Sequence, residues 1–248
     1  MLIEEARLPP GLRVYAIGDI HGRADLLDQM HDKIEADLGP SSEYGTPEKT
    51  VIVYLGDYVD RGPDSHGVIE RLTRPRFIGP RFPGVETVAL LGNHEDMLLQ
   101  FLDAPYGATL WLSNGGDATL GSYRVKIPAS FDELLLTQRA LLGAMPRHHK
   151  QFLLALPEQV QYGDYLFVHA GIKPGLPLDR QSREQKIWIR DVFLSSETDH
   201  GLIVVHGHTI VHEVEWRPNR IGVDTGAYTT GRLTALVLEG VGRRLLQT

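Results

Sequence analysis

Cysteine is absent from this chain of 248 residues. That removes disulfide frameworks, thiolate metal sites and cysteine nucleophiles at once, so any metal here is held by nitrogen and oxygen. Also absent is a run of eighteen apolar residues, which excludes a transmembrane helix. The N-terminus, MLIEEARLPPG, carries acids where a secretory signal carries bases, which argues against export. Together these features lead us to expect a reducing, cytoplasmic setting. An excess of positive charge is missing too. The net charge of -7 speaks against a broad nucleic-acid footprint, but a few local cations still suffice to hold a small phosphorylated substrate. There is no G-x-x-x-x-G-K-[ST] loop, no H-E-x-x-H and no G-x-S-x-G, so P-loop, zincin and serine-hydrolase chemistries drop out.

What is present is a recurring strand-to-loop junction. The stretches LRVYAIGD (12–19), TVIVYLGD (50–57) and ETVALLGN (86–93) are apolar runs that end in Gly-Asp or Gly-Asn. A segment with helical apolar spacing follows each. This is a βαβ series with its functional edge at the C-terminal ends of the strands, and the nearly unbroken apolar character predicts strands buried on both faces. From 104 to 157 the pattern turns helical and reads as an insertion, with Asn114-Gly115-Gly116 as a break between helices. Strands return at 158–171, where Gly163-Asp164 suits a hairpin turn, and again at 201–209, 219–227 and 231–240. With no linker or low-complexity tract, one α/β domain over 1–248 is the simplest reading.

Oxygen and nitrogen donors crowd the strand ends: Asp19 and His21 in GDIHG, Asp57, Asp60 and Arg61 in GDYVDRG, Asn93 and His94 in GNHE, His169 in HAG, and His208 in HGHT. Taken singly, each Gly-Asp is an ordinary turn and His169 an ordinary buried histidine. Taken together they are a donor set for two divalent cations, which clamp a phosphoryl group and activate water near neutral pH. Sulfur-free His, Asp and Asn donors suit manganese, iron or zinc, and three imidazoles are poor partners for calcium. His206, two residues from His208, shares its face if the strand stays regular, and reads as packing or an outer contact. Asp224 in GVDTGA reads equally as a turn residue or a rim residue. His31, His66, His148, His149, His200 and His212 have no motif behind them and are expected at the surface.

The five motifs, in this order and spanning 18 to 209, resemble those of the phosphoprotein phosphatases, above all their compact bacterial and bacteriophage members. The resemblance implies a four-layer sandwich of two mixed β-sheets flanked by helices, of the metallophosphoesterase kind. It also implies roles. Asp19 and His21 would hold one metal, Asp57 would bridge two, and Asn93, His169 and His208 would complete the second. Arg61, and Arg190 in WIRD, would bind phosphate, His94 would protonate the leaving oxygen, and Asp60 would orient His94. Two Mn2+ ions, or iron or zinc, would activate a bridging water to attack phosphorus directly. The implied activity is a phosphomonoesterase acting on phosphoserine, phosphothreonine or phosphotyrosine in peptides, or on small phosphate esters. The alternative is a symmetrical diadenosine tetraphosphate hydrolase, and a non-catalytic scaffold of the same fold is disfavoured because every motif position is filled. A W…NGG patch occurs in bacterial relatives and implies that the insertion borders the substrate groove. No nucleic-acid or membrane partner is expected. Oligomeric state is unspecified, and a monomer is compatible with these readings.

Overall fold

Alternating burial along a strand decides how many layers a sheet needs. In the computed structural model, which describes residues 3–38, 46–77 and 79–248, every residue of the first strand is buried. Along β1 (Leu12–Ile17) Val14 and Ala16 face one apolar cluster, while Tyr15 and Ile17 face another. Both faces of this sheet are therefore covered, which is why the run lacks polar alternation.

Helix α1 (Ala24–Leu38) follows, then β2 (Lys49–Tyr54), α2 (Ser65–Thr73), β3 (Val85–Ala89) and α3 (Asn93–Asp103). The inserted stretch holds α4 (Ala108–Trp111), a π-helical turn (Leu112–Gly116), α5 (Asp117–Ser122), α6 (Leu134–Ala144) and α7 (Arg147–Leu154). Strands β4 (Gln159–Tyr162) and β5 (Tyr165–Val168) form the hairpin at Gly163-Asp164. The chain continues through α8 (Arg183–Trp188), α9 (Asp191–Leu194), β6 (Ile203–His206), β7 (Glu215–Arg217), β8 (Arg220–Gly222), α10 (Ala227–Thr230), β9 (Thr234–Glu239) and β10 (Gly242–Gln247).

Among the described residues two five-stranded mixed sheets result, with strand orders β10-β9-β1-β2-β3 and β4-β5-β6-β8-β7. Strands β1, β2 and β3 are parallel, as are β5, β6 and β8. Val14, Val51, Val53 and Leu236 of the first sheet meet Phe167, Val205 and Ile221 of the second in a shared core. Helices α1 to α3 and the inserted helices cover the outer face of the first sheet, and Phe193 of α9 covers that of the second. The expected α/β four-layer sandwich with helical insertion is thus what forms. Among the described residues no helix is long and apolar enough to cross a membrane.

The apolar pattern misleads in one strand. β3 is only partly buried because it is the edge of its sheet, with no neighbour on one side among the described residues. Two histidines expected at the surface are also buried. His31 shares a face of α1 with Leu27 and Ile34, and its Nε2 lies 2.8 Å from the Tyr54 hydroxyl. His149 is fully buried on α7 beside Tyr123. Both fall at core positions of helices whose other core residues are apolar.

Candidate dinuclear metal centre

The parallel strands of both sheets end at one rim, and the loops beyond them carry the polar residues. The backbone there is unusual. Among the described residues six non-glycine positions have positive φ, and five of them are His21, Asp57, Asp60, Arg61 and His208. Left-handed conformations disfavour L-residues, and such strain persists where surrounding structure enforces it, often at functional sites. Here neighbouring loops enforce it. The backbone N–H groups of Ile20 and His21 donate to Asp57 O at 3.1 and 2.8 Å, tying the first motif to the second. Glu95, fully buried, accepts from the N–H groups of Asp57, Tyr58, Val59 and Gly92 at 2.7 to 3.1 Å. At Gly56 (φ 109°) a Cβ would press on the His169 ring and the Gly92 backbone, so only glycine permits this crossing.

The carboxylate of Asp57 stands in the middle. Its Oδ2 lies 3.5 Å from His21 Nε2 and 3.9 Å from His94 Nε2, while its Oδ1 lies 3.3 Å from His169 Nε2. Two three-residue ligand sets therefore share it: His21, Asp57 and His94 on one side, and Asp57, His169 and His208 on the other. This is the arrangement that two divalent cations bridged by one carboxylate require.

Hydrogen bonding supports that fit. His21 Nδ1 donates to Val59 O at 2.8 Å and His169 Nδ1 donates to Leu55 O at 2.9 Å. Each bond commits the ring proton to Nδ1 and leaves a lone pair on Nε2. That lone pair of His169 faces Asn93 Oδ1 at 2.9 Å, whereas that of His21, 3.5 Å from Asp57 Oδ2, accepts an N–H from Arg61 Nη1 at 3.0 Å. Facing acceptors repel unless a cation lies between them. His208 Nε2 is buried and has no hydrogen-bond partner among the described residues. Burial pushes His21 down to about 3 and His208 down to about 2, and lowers His169, so all three rings are neutral and able to ligate at pH 7.

Asp19 is buried, and both its oxygens accept the His208 backbone N–H at 3.1 Å. It stands outside the two three-residue sets and beside Asp224, whose carboxyl burial pushes up to about 6. Asp224 thus belongs to the rim, a position its sequence context left open. Asn93 opens α3, and the next N–H, that of His94, donates to Asp57 Oδ1 at 3.1 Å, presenting the positive helix end to the carboxylate. Arg61 Nη1 approaches His21 Nε2 at 3.0 Å, and its guanidinium lies 4.9 Å from the Tyr228 ring centroid. Arg190 is exposed, with long contacts to Thr209 Oγ1 and His208 O at 3.4 and 3.5 Å. His206 diverges from His208, because positive φ at His208 breaks the strand alternation. Its ring packs on Phe193 instead.

His94 Nδ1 pairs with Asp60 Oδ2 at 2.7 Å. Burial opposes charge on this ring, yet Asp57 and the Asp60 hydrogen bond outweigh it and raise His94 above the ordinary histidine value. Asp60 is in turn held by the insertion. Thr119 Oγ1 donates to Oδ1 at 2.6 Å, and Trp111 Nε1 donates to both oxygens at 3.0 and 3.1 Å. Sequence reasoning assigned no role to Thr119 or Glu95, and placed Trp111 only within the W…NGG patch expected to border the substrate groove. The only visible signals were the tryptophan near Asn114-Gly115-Gly116 and the acid that follows His94. Those glycines bring the insertion against the site, since Gly115 at φ 98° packs against Arg61 and its carbonyl accepts the Arg61 N–H at 3.1 Å.

The calcineurin-like phosphoesterase family model matches residues 12–233. The chain is similar to serine/threonine-protein phosphatase 2 of Escherichia coli (strain K12), with 24% identity over 89% of this chain and 90% of the relative. It is likewise similar to the asymmetrical bis(5'-nucleosyl)-tetraphosphatase of Bacillus thuringiensis (strain Al Hakam), 26% identical over 89% of this chain and 88% of the relative. A solved structure described as a diadenosine tetraphosphatase candidate shares the fold at a TM-score of 0.63 and 23% identity, covering 95% of this chain and 93% of that one.

Proposed function

The chain belongs to the calcineurin-like phosphoesterase family, and we propose that it is a metal-dependent hydrolase whose preferred substrate is a dinucleoside tetraphosphate. The ranking of the two sequence-based readings is therefore reversed. The observation that carries this is a pair of clefts flanking the centre, each bordered by an aromatic ring. On one side the Tyr228 ring stands edge-on to His21 at 5.2 Å and borders a cleft of about 620 Å³ with Arg23 and Arg71. On the other, the Trp188 ring stands edge-on to His208 at 6.1 Å and borders a second cleft of about 620 Å³ with Met97, Leu110 and Arg183. An aromatic ring on each side of a phosphate site suits a purine at each end of a polyphosphate; the second cleft adds apolar side chains, whereas the first is polar, with Arg23 and Arg71 paired to Asp25 and Asp28.

In this reading His21 and Asp19 serve one metal, Asn93, His169 and His208 the other, and Asp57 both. Donors of nitrogen and oxygen alone make Mn2+ the proposed ion, with iron or zinc as substitutes. When bound, the two cations polarise phosphoryl oxygens and supply an activated water. Arg61 and Arg190 bind and orient the phosphates, their planar forks matching pairs of oxygens. His94, held by Asp60, delivers a proton to the leaving oxygen as the phosphorus–oxygen bond breaks.

A phosphoprotein phosphatase is the second reading, supported by the order of the five motifs and the Escherichia coli relative. The manganese-loaded protein assayed on diadenosine tetraphosphate and on phosphoserine and phosphotyrosine peptides separates the two. We expect kcat/KM at least tenfold higher on the dinucleotide, with ADP alone marking a symmetrical cut and ATP plus AMP an asymmetrical one. A tenfold preference for a phosphopeptide would overturn the proposal.

A further inference from the structure

A second group of possible metal ligands lies outside the dinuclear centre, in the stretch PRHHK. His148 and His149 on α7 both direct Nε2 at the same oxygen, Glu70 Oε2 on α2, each at 2.8 Å. The three ligand atoms lie within 4.8 Å of one another. We propose that Glu70, His148 and His149 form a third metal site, selective for zinc-like borderline cations, that fastens the end of the helical insertion to α2.

Four features of the cluster carry this. The carboxylate is fixed through its other oxygen, since Arg74 Nη1 pairs with Glu70 Oε1 at 2.8 Å and leaves Oε2 to the histidines. His149 is oriented from behind, its Nδ1 lying 2.8 Å from the Tyr123 hydroxyl. Such an outer hydrogen bond is what holds a ligating imidazole in one orientation. The donors are two imidazoles and one carboxylate, a combination zinc accepts readily with a fourth place for water. Finally, the His148 side chain is 41% exposed, so an ion and its water have access from solvent, while His149 is fully buried and gives the site a rigid wall.

The ligand atoms need little movement. Tetrahedral zinc with bonds near 2.1 Å places its ligand atoms about 3.4 Å apart, so the present contacts need open only slightly around an ion. The rings of His148 and His149 already stand nearly perpendicular, at 82° with centroids 4.5 Å apart, which lets adjacent residues address one point from different directions. Burial lowers His149, favouring the neutral ring that ligates. The position also has a structural consequence. Helix α2 begins at Ser65, whose Oγ accepts the Asp60 N–H at 3.0 Å and contacts Thr119 Oγ1 at 2.9 Å. An ion joining α7 to α2 therefore steadies the elements that hold Asp60, without touching the catalytic groups.

The test is a count of bound metal. Chelator-stripped full-length protein is titrated with zinc, freed of excess, and its zinc per chain measured beside His148→Gln and Glu70→Gln. Glutamine at 148 still donates a hydrogen bond to Glu70 but is a poor zinc ligand, so the fold is preserved. We expect the wild type to bind one more zinc per chain than either variant, and its melting temperature to rise with zinc by about 5 °C more than theirs. Loss of the dinuclear centre would lower all three totals equally and leave that difference intact. Equal counts in the three proteins would show an ordinary histidine–carboxylate hydrogen-bond cluster and overturn the proposal.

Discussion

Trp111→Phe removes one hydrogen-bond donor from the Asp60 carboxylate and little else. The indole is buried and stacked on Phe101 at 4.7 Å, with Gly116 against its other side, so a phenyl ring keeps most of the packing. Asp60 retains Thr119 at 2.6 Å and His94 at 2.7 Å but loses the N–H at 3.0 and 3.1 Å. A hydrogen bond to a charged acceptor is worth about 1.5–3 kcal/mol. Where that loss falls on the positioning of His94 in the transition state, it corresponds to a fall in kcat of roughly 10- to 100-fold. The assay that isolates the cause compares leaving groups. An alkyl phosphate needs a proton as its bond breaks, whereas a nitrophenyl phosphate departs unaided. Trp111→Phe should therefore cost the full factor on the alkyl ester and about threefold or less on the aryl ester, with bound metal unchanged. In an Asp60→Asn background the same substitution should add little, because the two residues act through one contact. Equal losses on both esters, or additive losses in the double variant, would refute the link from insertion to general acid.

Three further outcomes are expected. His94→Asn should lower kcat by about 10²–10⁴-fold while metal content stays as in the wild type. Since His94 Nε2 also lies within reach of a metal set with His21 and Asp57, loss of one ion in this variant would make it a ligand instead. Gly115→Ala places a Cβ against the Arg61 backbone at a positive φ, so it should raise KM several-fold and cost about 1–2 kcal/mol of stability, and an unchanged KM would separate Gly115 from phosphate binding. Burial holds His31 at about 4 against 6.5 in the unfolded chain, so as pH falls the unfolded state takes up the proton first and the contribution present above 6.5 is lost on the way to 4. Between pH 7.5 and 5 the wild type should lose about 2 kcal/mol more than His31→Gln in urea unfolding, and a pH-independent difference would rule this out.

The donors at the strand ends were legible because metal and phosphate chemistry restricts which side chains serve, and because each donor sits in a short loop after an apolar run. GDIHG, GDYVDRG and GNHE are local signals of that kind, and the buried strands before them announce themselves by composition. Short or mixed strands did not. β7 has three residues, and β10, Gly242–Gln247, is a partly buried edge whose Arg243 and Arg244 hide its pattern. The same limit applies to His31 and His149, whose residue type suggests surface while their helix position dictates core.

What the chain alone determined is the chemistry available: imidazoles, carboxylates and an amide in ordered motifs, with no thiol to compete. What only the tertiary structure decided is which groups meet. Asp60 finds Trp111 and Thr119 at 51 and 59 residues' remove, and Asp19 finds both the His208 N–H and Asp224 across two sheets. Residue identity is a local property, but a hydrogen bond over that separation exists only once packing of the two sheets and the inserted helices has brought its ends within 3 Å or so.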